Sequence, residues 1–243
     1  MQRTFKYEEM LPEEFQAAVE RMPVFLVPTG LLEWHGDHLP LGQDTLKSYG
    51  LCLETARKLG GGIVLPPNYW GRPGFSSYVG TLTFSEAALR PLFLELFEQL
   101  QKVGAKVVLL LTGHYGAVQV EFVRSVAEEY IRRGTGLRII AQPEYEGVEI
   151  DGERPGDHAG KWETSMFWYM FPHLTHIQNL KAGVVNVRQY KDPPHYDYRE
   201  KSRWEWAEGL RKAVSPELGR RAVGIITDHL KELILAELAK ARS

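Results

Sequence analysis

Cys52 is the only cysteine of the chain. An intrachain disulfide and a thiolate zinc cluster are therefore excluded, and the helical pattern around Cys52 suits a buried, inert thiol. Long apolar runs are missing too. None approaches the roughly eighteen residues a membrane span requires, and the opening Met-Gln-Arg-Thr-Phe-Lys lacks the apolar core of a secretory signal. Nor is there an excess of charge: 29 basic side chains face 31 acidic ones, a formal net charge of −2. That balance offers no footprint for nucleic acid or an anionic membrane, and it fits a neutral or mildly charged small substrate. No Gly-x-Ser-x-Gly elbow, P-loop or dinucleotide fingerprint occurs. The expectation is a cytoplasmic protein with no nucleic-acid or membrane partner.

What the chain has is material for a core. At 243 residues, 44% hydrophobic and 25% charged, it suits one α/β domain, 1–243, without repeat or linker. Helical patterns over 12–21, 45–59, 85–103, 117–132, 158–170 and from 215 onward alternate with apolar strands at 24–27, 63–65, 106–111 and 137–141. The run Lys106–Leu111 is nearly all apolar, as a central parallel strand would be. This alternation predicts a three-layer sandwich: a mostly parallel central sheet with helices on both faces. Expected core faces are Leu46, Tyr49, Leu53 and Ala56; Leu89, Leu92, Phe93, Leu96 and Leu100; Val120, Val123, Ala127 and Ile131; and Leu218, Ala222, Ile225, Ile226, Leu230 and Leu233.

The densest chemistry follows the first strand, in Glu33-Trp-His35-Gly-Asp37-His38-Leu-Pro-Leu-Gly-Gln-Asp44. Loop acids and histidines are usually solvated, but such crowding after a buried strand is unusual. Glu33 and His35 alternate, so an extended backbone points both to one side. Ligands of parallel sheets bind beyond the carboxyl ends of the strands, where His114 also falls, after the third strand. Glu33, His35, Asp44, His114 and Glu163 together form a donor set for two divalent ions sharing a carboxylate; zinc, manganese and ferrous iron all fit it. His158 and Glu163 fall at the start of a helix, near its positive end. The long loop 66–83 and the aromatic stretch 184–206 are candidates for a site wall, a lid or a subunit contact. Tyr69, Trp70 and Trp162 are candidate stacking platforms, although large aromatics usually serve the core.

The blocks Gly30-x-x-Glu33-x-His35-Gly36-x-His38-Leu-Pro-Leu with Asp44, Thr112-Gly113-His114, and His158-Ala-Gly-x-x-Glu163-Thr-Ser resemble the signatures of the creatininase (creatinine amidohydrolase) family, as does Tyr78-Val-Gly-Thr-Leu-Thr. That resemblance implies a metal-dependent amidohydrolase, commonly a homohexamer, which cleaves a C–N bond of a small cyclic amide or formamide. A peptidase-like maturation protein for a peptide-derived redox cofactor is the alternative, and a non-catalytic metal-containing binding subunit a further one. It also implies that Glu33, Asp44 and His114 hold one ion and His35 and Asp44 the other, with Glu163 completing or adjoining the second. A hydroxide between the ions would attack the amide carbon. His158 and Glu163 are the candidate catalytic residues, with His158 protonating the departing nitrogen; Asp157 either raises the basicity of His158 or is an exposed acid, and His38 orients a ligand. Creatininase has a glutamate ligand at the position of Gly116. That departure makes Glu163 the substitute and argues against creatinine as substrate.

Overall fold

The computed structural model describes residues 4–191 and 201–241. Four parallel strands form the central sheet in the order β2-β1-β3-β4: β1 (Val24–Thr29), β2 (Ile63–Val64), β3 (Val107–Thr112) and β4 (Arg138–Pro143). Side chains alternate across β1 and β3, so each face carries its own core. Val24, Leu26, Val107, Leu109 and Leu111 pack against α2 (Gln43–Leu59), α5 (Lys161–Met170) and α7 (Pro216–Lys240). Phe25, Val27, Val108 and Leu110 pack against α1 (Pro12–Arg21), α3 (Glu86–Lys102) and α4 (Ala117–Ile131). The expected three-layer α/β arrangement is present.

Register decides where the chain can do chemistry. Thr29 pairs with Thr112, and Thr112 with Pro143, so β1, β3 and β4 end flush. Whatever follows each strand emerges along one rim: the 30–44 segment after β1, Gly113-His114-Tyr115 after β3, Glu144 after β4. Strand β1 runs two residues beyond the expected end at Val27 and includes Pro28. Successive residues face opposite neighbours, and Leu65 N–H donates to the Leu26 carbonyl, so Pro28 faces the same side. There β2 has already ended, so the missing N–H of Pro28 breaks no ladder bond.

Several predicted core faces need correcting. Helix α2 begins at Gln43, and its fully buried stripe is Asp44, Lys47, Ser48, Leu51, Cys52, Thr55 and Ala56; of the expected face Ala56 belongs to it, while Leu46, Tyr49 and Leu53 are only partly buried beside the core. The helical period is right and the phase is wrong, because the stripe that turns inward begins with polar groups. Leu92, Ile131 and Ile225 are exposed, while Phe97, Phe122 and Val223 are buried in their place. Ser85 and Ser215 cap their helices through N–H donors of Ala88 and Leu218. Cys52 is fully buried, and burial pushes its thiol well above the usual range.

The stretch 184–206 contributes a two-stranded antiparallel ribbon, β5 (Val184–Asn186) with β6 (Arg203–Glu205), followed by the short α6 (Leu210–Ala213). Residues 192–200 of that stretch lie outside the described residues. Trp204 and Trp206 of this segment meet Trp34, His38 and His158, so it roofs one side of the rim. No described helix is long and apolar enough to cross a membrane.

Candidate metal centre

Glu33 and His35 arrive from the segment after β1, Asp44 from the first turn of α2, His114 from just after β3, His158 from the segment before α5 and Glu163 from the first turn of α5. Among the described residues, ligand atoms of three groups lie within 4.8 Å of one another: Glu33/Asp44/His114, His35/Asp44/Glu163 and Glu33/His35/His158. Asp44 is common to the first two. Its Oδ2 is 3.3 Å from His114 Nδ1 and its Oδ1 is 3.0 Å from His35 Nε2. Glu33 Oε2 lies 3.2 Å from His114 Nδ1, and Glu163 Oε2 lies 3.5 Å from His35 Nε2. All five sequence-predicted donors are buried.

Backbone groups aim these side chains. Glu33 Oε1 accepts the Phe75 N–H at 2.7 Å, which leaves Oε2 for the cluster. The loop comes that close because residue 74 is glycine; a Cβ there would sit 1.9 Å from Glu33 Oε1. Gly113 has the same origin, since a Cβ would lie 2.0 Å from the Asp44 carbonyl oxygen. His35 Nδ1 lies 3.1 Å from the Glu33 carbonyl, to which an Nδ1–H donates, and Nε2 is the ring nitrogen that faces Asp44.

The charge arrangement asks for cations. Burial alone would raise Glu33 and Asp44, yet the facing imidazoles hold both carboxyls below their usual range. Burial would likewise lower His35, and Asp44, followed by Glu163 and Glu33, reverses that to about 9; Glu33 and Asp44 do the same for His114. Glu33 Oε2, His35 Nε2 and Asp44 Oδ2 are buried without a hydrogen-bond partner. Oxygen and imidazole donors that are buried, unsatisfied and convergent fit divalent-cation binding, with Asp44 common to two of the groups.

His158 is the least enclosed member, its side chain 19% exposed. Its Nε2 lies 2.9 Å from the Trp34 carbonyl oxygen, and its Nδ1 is 3.9 Å from Glu33 Oε2. Burial, with His35 adding to it, lowers this imidazole to about 4, so it is neutral near pH 7. Asp157 does not reach it. Both Asp157 oxygens are spent on the start of α5, accepting from Trp162 N–H at 2.9 Å and Glu163 N–H at 3.1 Å. The expected Asp157–His158 partnership is thus replaced by a helix cap. His38 lies outside the ligand groups; its Nε2 is 3.0 Å from Thr164 Oγ1, next to Glu163.

The neighbouring cavity, about 560 Å³, is lined by Asp44, His114, His158 and Glu163 together with Phe75, Tyr115, Tyr145 and Arg154. The stacking candidates lie elsewhere. Trp162 belongs to the α2/α5/α7 core, Trp70 is solvent-exposed, and Tyr69 is not part of the lining. Sequence reasoning missed Lys47, Tyr115 and Glu144. Lys47 is three residues beyond Asp44, on the same helix face, and Glu144 follows β4 at the flush rim. The strand-end argument that found His114 would have found Glu144 as well.

The family model for creatinine amidohydrolase, Creatininase, matches residues 8–234. The mycofactocin precursor peptide peptidase of Mycobacterium ulcerans (strain Agy99) is 29% identical over 171 residues, 66% of this chain and 64% of that protein. The chain therefore spans less than two thirds of that relative. The creatinine amidohydrolase of Pseudomonas putida is 27% identical over 199 residues, 71% of this chain and 74% of its own. A crystal structure of creatinine amidohydrolase (creatininase) superposes with a TM-score of 0.77 at 21% identity, covering 97% of this chain and 98% of its own. A manganese form of creatininase gives 0.74 at 22% identity, over 96% and 98%. At such identities the structural likeness speaks for the fold, and the family model for descent. By fold and by sequence, the chain belongs to the creatininase family.

Proposed function

We propose that the chain is a metal-dependent amidohydrolase that opens a C–N bond of a small cyclic amide or formamide, with two divalent ions per chain, zinc, manganese or iron. The observation that carries this reading is the double use of Asp44. One carboxylate faces His114 with Oδ2 and His35 with Oδ1, and Glu33 and Glu163 close the two groups. Glu33, Asp44 and His114 would hold one ion; His35, Asp44 and Glu163 would hold the other. When bound, the ions would supply an easily deprotonated water and polarise the amide carbonyl.

The remaining steps belong to the protein. Phe75, Tyr115 and Tyr145 supply flat walls for a planar amide. His158 is anchored at Nε2 by the Trp34 carbonyl, so its free Nδ1 faces the reacting centre. A neutral imidazole in that position takes the proton of the attacking water and returns it to the departing nitrogen. Glu163 serves as a ligand rather than as a proton carrier, because both its oxygens already accept hydrogen bonds. With Gly116 where creatininase carries its glutamate ligand, creatinine is not the expected substrate.

Peptide hydrolysis is the second reading, favoured by the 29% identity to a precursor peptide peptidase. Elemental analysis of purified protein, with hydrolysis assays on formamides, cyclic amides, creatinine and short peptides, separates the possibilities. About two ions per chain with turnover of a formamide or cyclic amide supports the first reading. Turnover of peptides alone supports the second, and a full site without turnover points to a binding subunit. A homo-oligomer, hexameric by family resemblance, is part of the same proposal and is tested by light scattering.

A further inference from the structure

Lys47 is a fully buried lysine for which neither the ligand set nor the proton path has a use. Its ammonium donates to Glu163 Oε1 at 2.6 Å and to the Tyr115 hydroxyl at 2.8 Å, and it forms an ion pair with Glu144 Oε1 at 2.5 Å. The Tyr115 hydroxyl in turn donates to Glu163 Oε1 at 2.6 Å. Oε1 of Glu163 therefore receives a charged and a neutral hydrogen bond. Oε2 takes the Ala159 N–H at 2.6 Å and is the oxygen that faces His35. The carboxylate is pinned from three places: α2, the turn after β3 and the segment that precedes α5.

A buried Lys–Glu pair is about neutral for stability when compared with apolar residues of the same volume. Stability alone therefore gives no reason to place Lys47–Glu144 here. The third partner does give one. Lys47 also holds Glu163 through Oε1, the oxygen that does not face His35.

We propose that Lys47 is a positioning residue: with Glu144 as its counter-ion, it locks Glu163 so that Oε2 alone is presented toward His35 and Asp44. It thereby sets the ion affinity of the His35/Asp44/Glu163 group and leaves the Glu33/Asp44/His114 group untouched. The inference rests on the two-ion reading above and deepens it. Removing Lys47 alone would strand the Glu144 carboxylate, so the informative variant is Lys47→Met combined with Glu144→Gln. That pair of substitutions removes one charge of each sign, leaves the local net charge unchanged and deletes only the lock.

The test is calorimetric titration of the metal-free protein with Mn²⁺ alone, alongside thermal denaturation, for the wild type, Lys47→Met and the double variant. Lys47→Met should melt lower, and the double variant should recover most of the loss. In the double variant one ion should bind about 10–100-fold more weakly, as when an outer partner of a ligand is lost, and the other with unchanged affinity. Two unchanged affinities, or two equally weakened ones, would overturn the proposal. A wild type that binds only one ion brings down the two-ion reading and this inference with it. A wild type that binds two, with a double variant that also binds two normally, brings down the inference alone. If the double variant does not fold, Tyr115→Phe removes one hydrogen bond from Oε1 with no charge change. It should weaken the same single ion, and unchanged affinities would overturn the proposal.

Discussion

In the proposed site Asp44 would serve ion binding and His158 proton movement, and their variants separate the two. Asp44→Ala removes the carboxylate shared by both ligand groups, so elemental analysis should find both ions lost; normal metal content would count against its bridging position. His158→Ala touches neither the shared carboxylate nor the cap of α5. It should retain metal and lose about 10²–10⁴-fold in kcat, the usual weight of a positioned acid–base group; an unchanged kcat would remove it from the proton path. The motif stretch showed most of these residues because ligand-type side chains crowd a short segment after an apolar strand. Lys47 escaped the same reading because it is a single charged residue in an otherwise ordinary helix, whereas Glu144 stands at a strand end that the argument for His114 already covered. Their meaning comes from facing each other and Glu163 across about a hundred residues of sequence.

Helix α5 carries Glu163 and owes its first turn to Asp157. Asp157→Ala should cost about 0.5–2 kcal/mol of stability, the range for a lost cap, read as a shift in the denaturant midpoint. The pH profile of kcat should keep its position; a displaced profile would restore the partnership with His158. His38 ties the same turn to the 30–44 segment through Thr164, and burial lowers its imidazole to about 4. In the unfolded chain it titrates near 6.5, so between those values the unfolded state binds the extra proton. Stability is complete above about 6.5 and falls as pH drops toward about 4. Metal-free His38→Gln should show a smaller loss between pH 7 and pH 5 than metal-free wild type, by chemical denaturation. Equal losses would show that another group governs the decline. Strand and helix order could be read from period and punctuation alone. The phase of α2 could not, because hydrophobicity marks the buried side of a helix only when that side is apolar.

Across the assembled domain the proposed metal centre would also be a folding constraint. Glu33, Asp44, His35 and His114 each carry a buried polar atom without a hydrogen-bond partner, a cost that bound cations would offset. Ions bound only by the native state add stability by mass action, about 2.7 kcal/mol for each ion held at a hundred times its Kd. For a chain of this size each kcal/mol moves Tm by about 2–4 °C. Dialysis against a chelator should therefore lower Tm by roughly 5–10 °C per ion, and Mn²⁺ or Zn²⁺ should restore it. An unaltered Tm would argue against tight ion binding in these groups.

Local signals were enough for the layered α/β class, the family, and the identity of the side chains that gather at one rim. Apolar period, Gly and Pro punctuation and donor-rich motifs are all written in consecutive residues. Other features depended on the flush ending of β1, β3 and β4, on the close approach of loop 74 to Glu33, and on α5 packing beside α2. Those contacts gave Asp157 its cap, turned His158 Nδ1 toward the cluster and placed Lys47 behind Glu163. They join residues far apart in the chain, through distances and orientations that no stretch of neighbouring residues encodes.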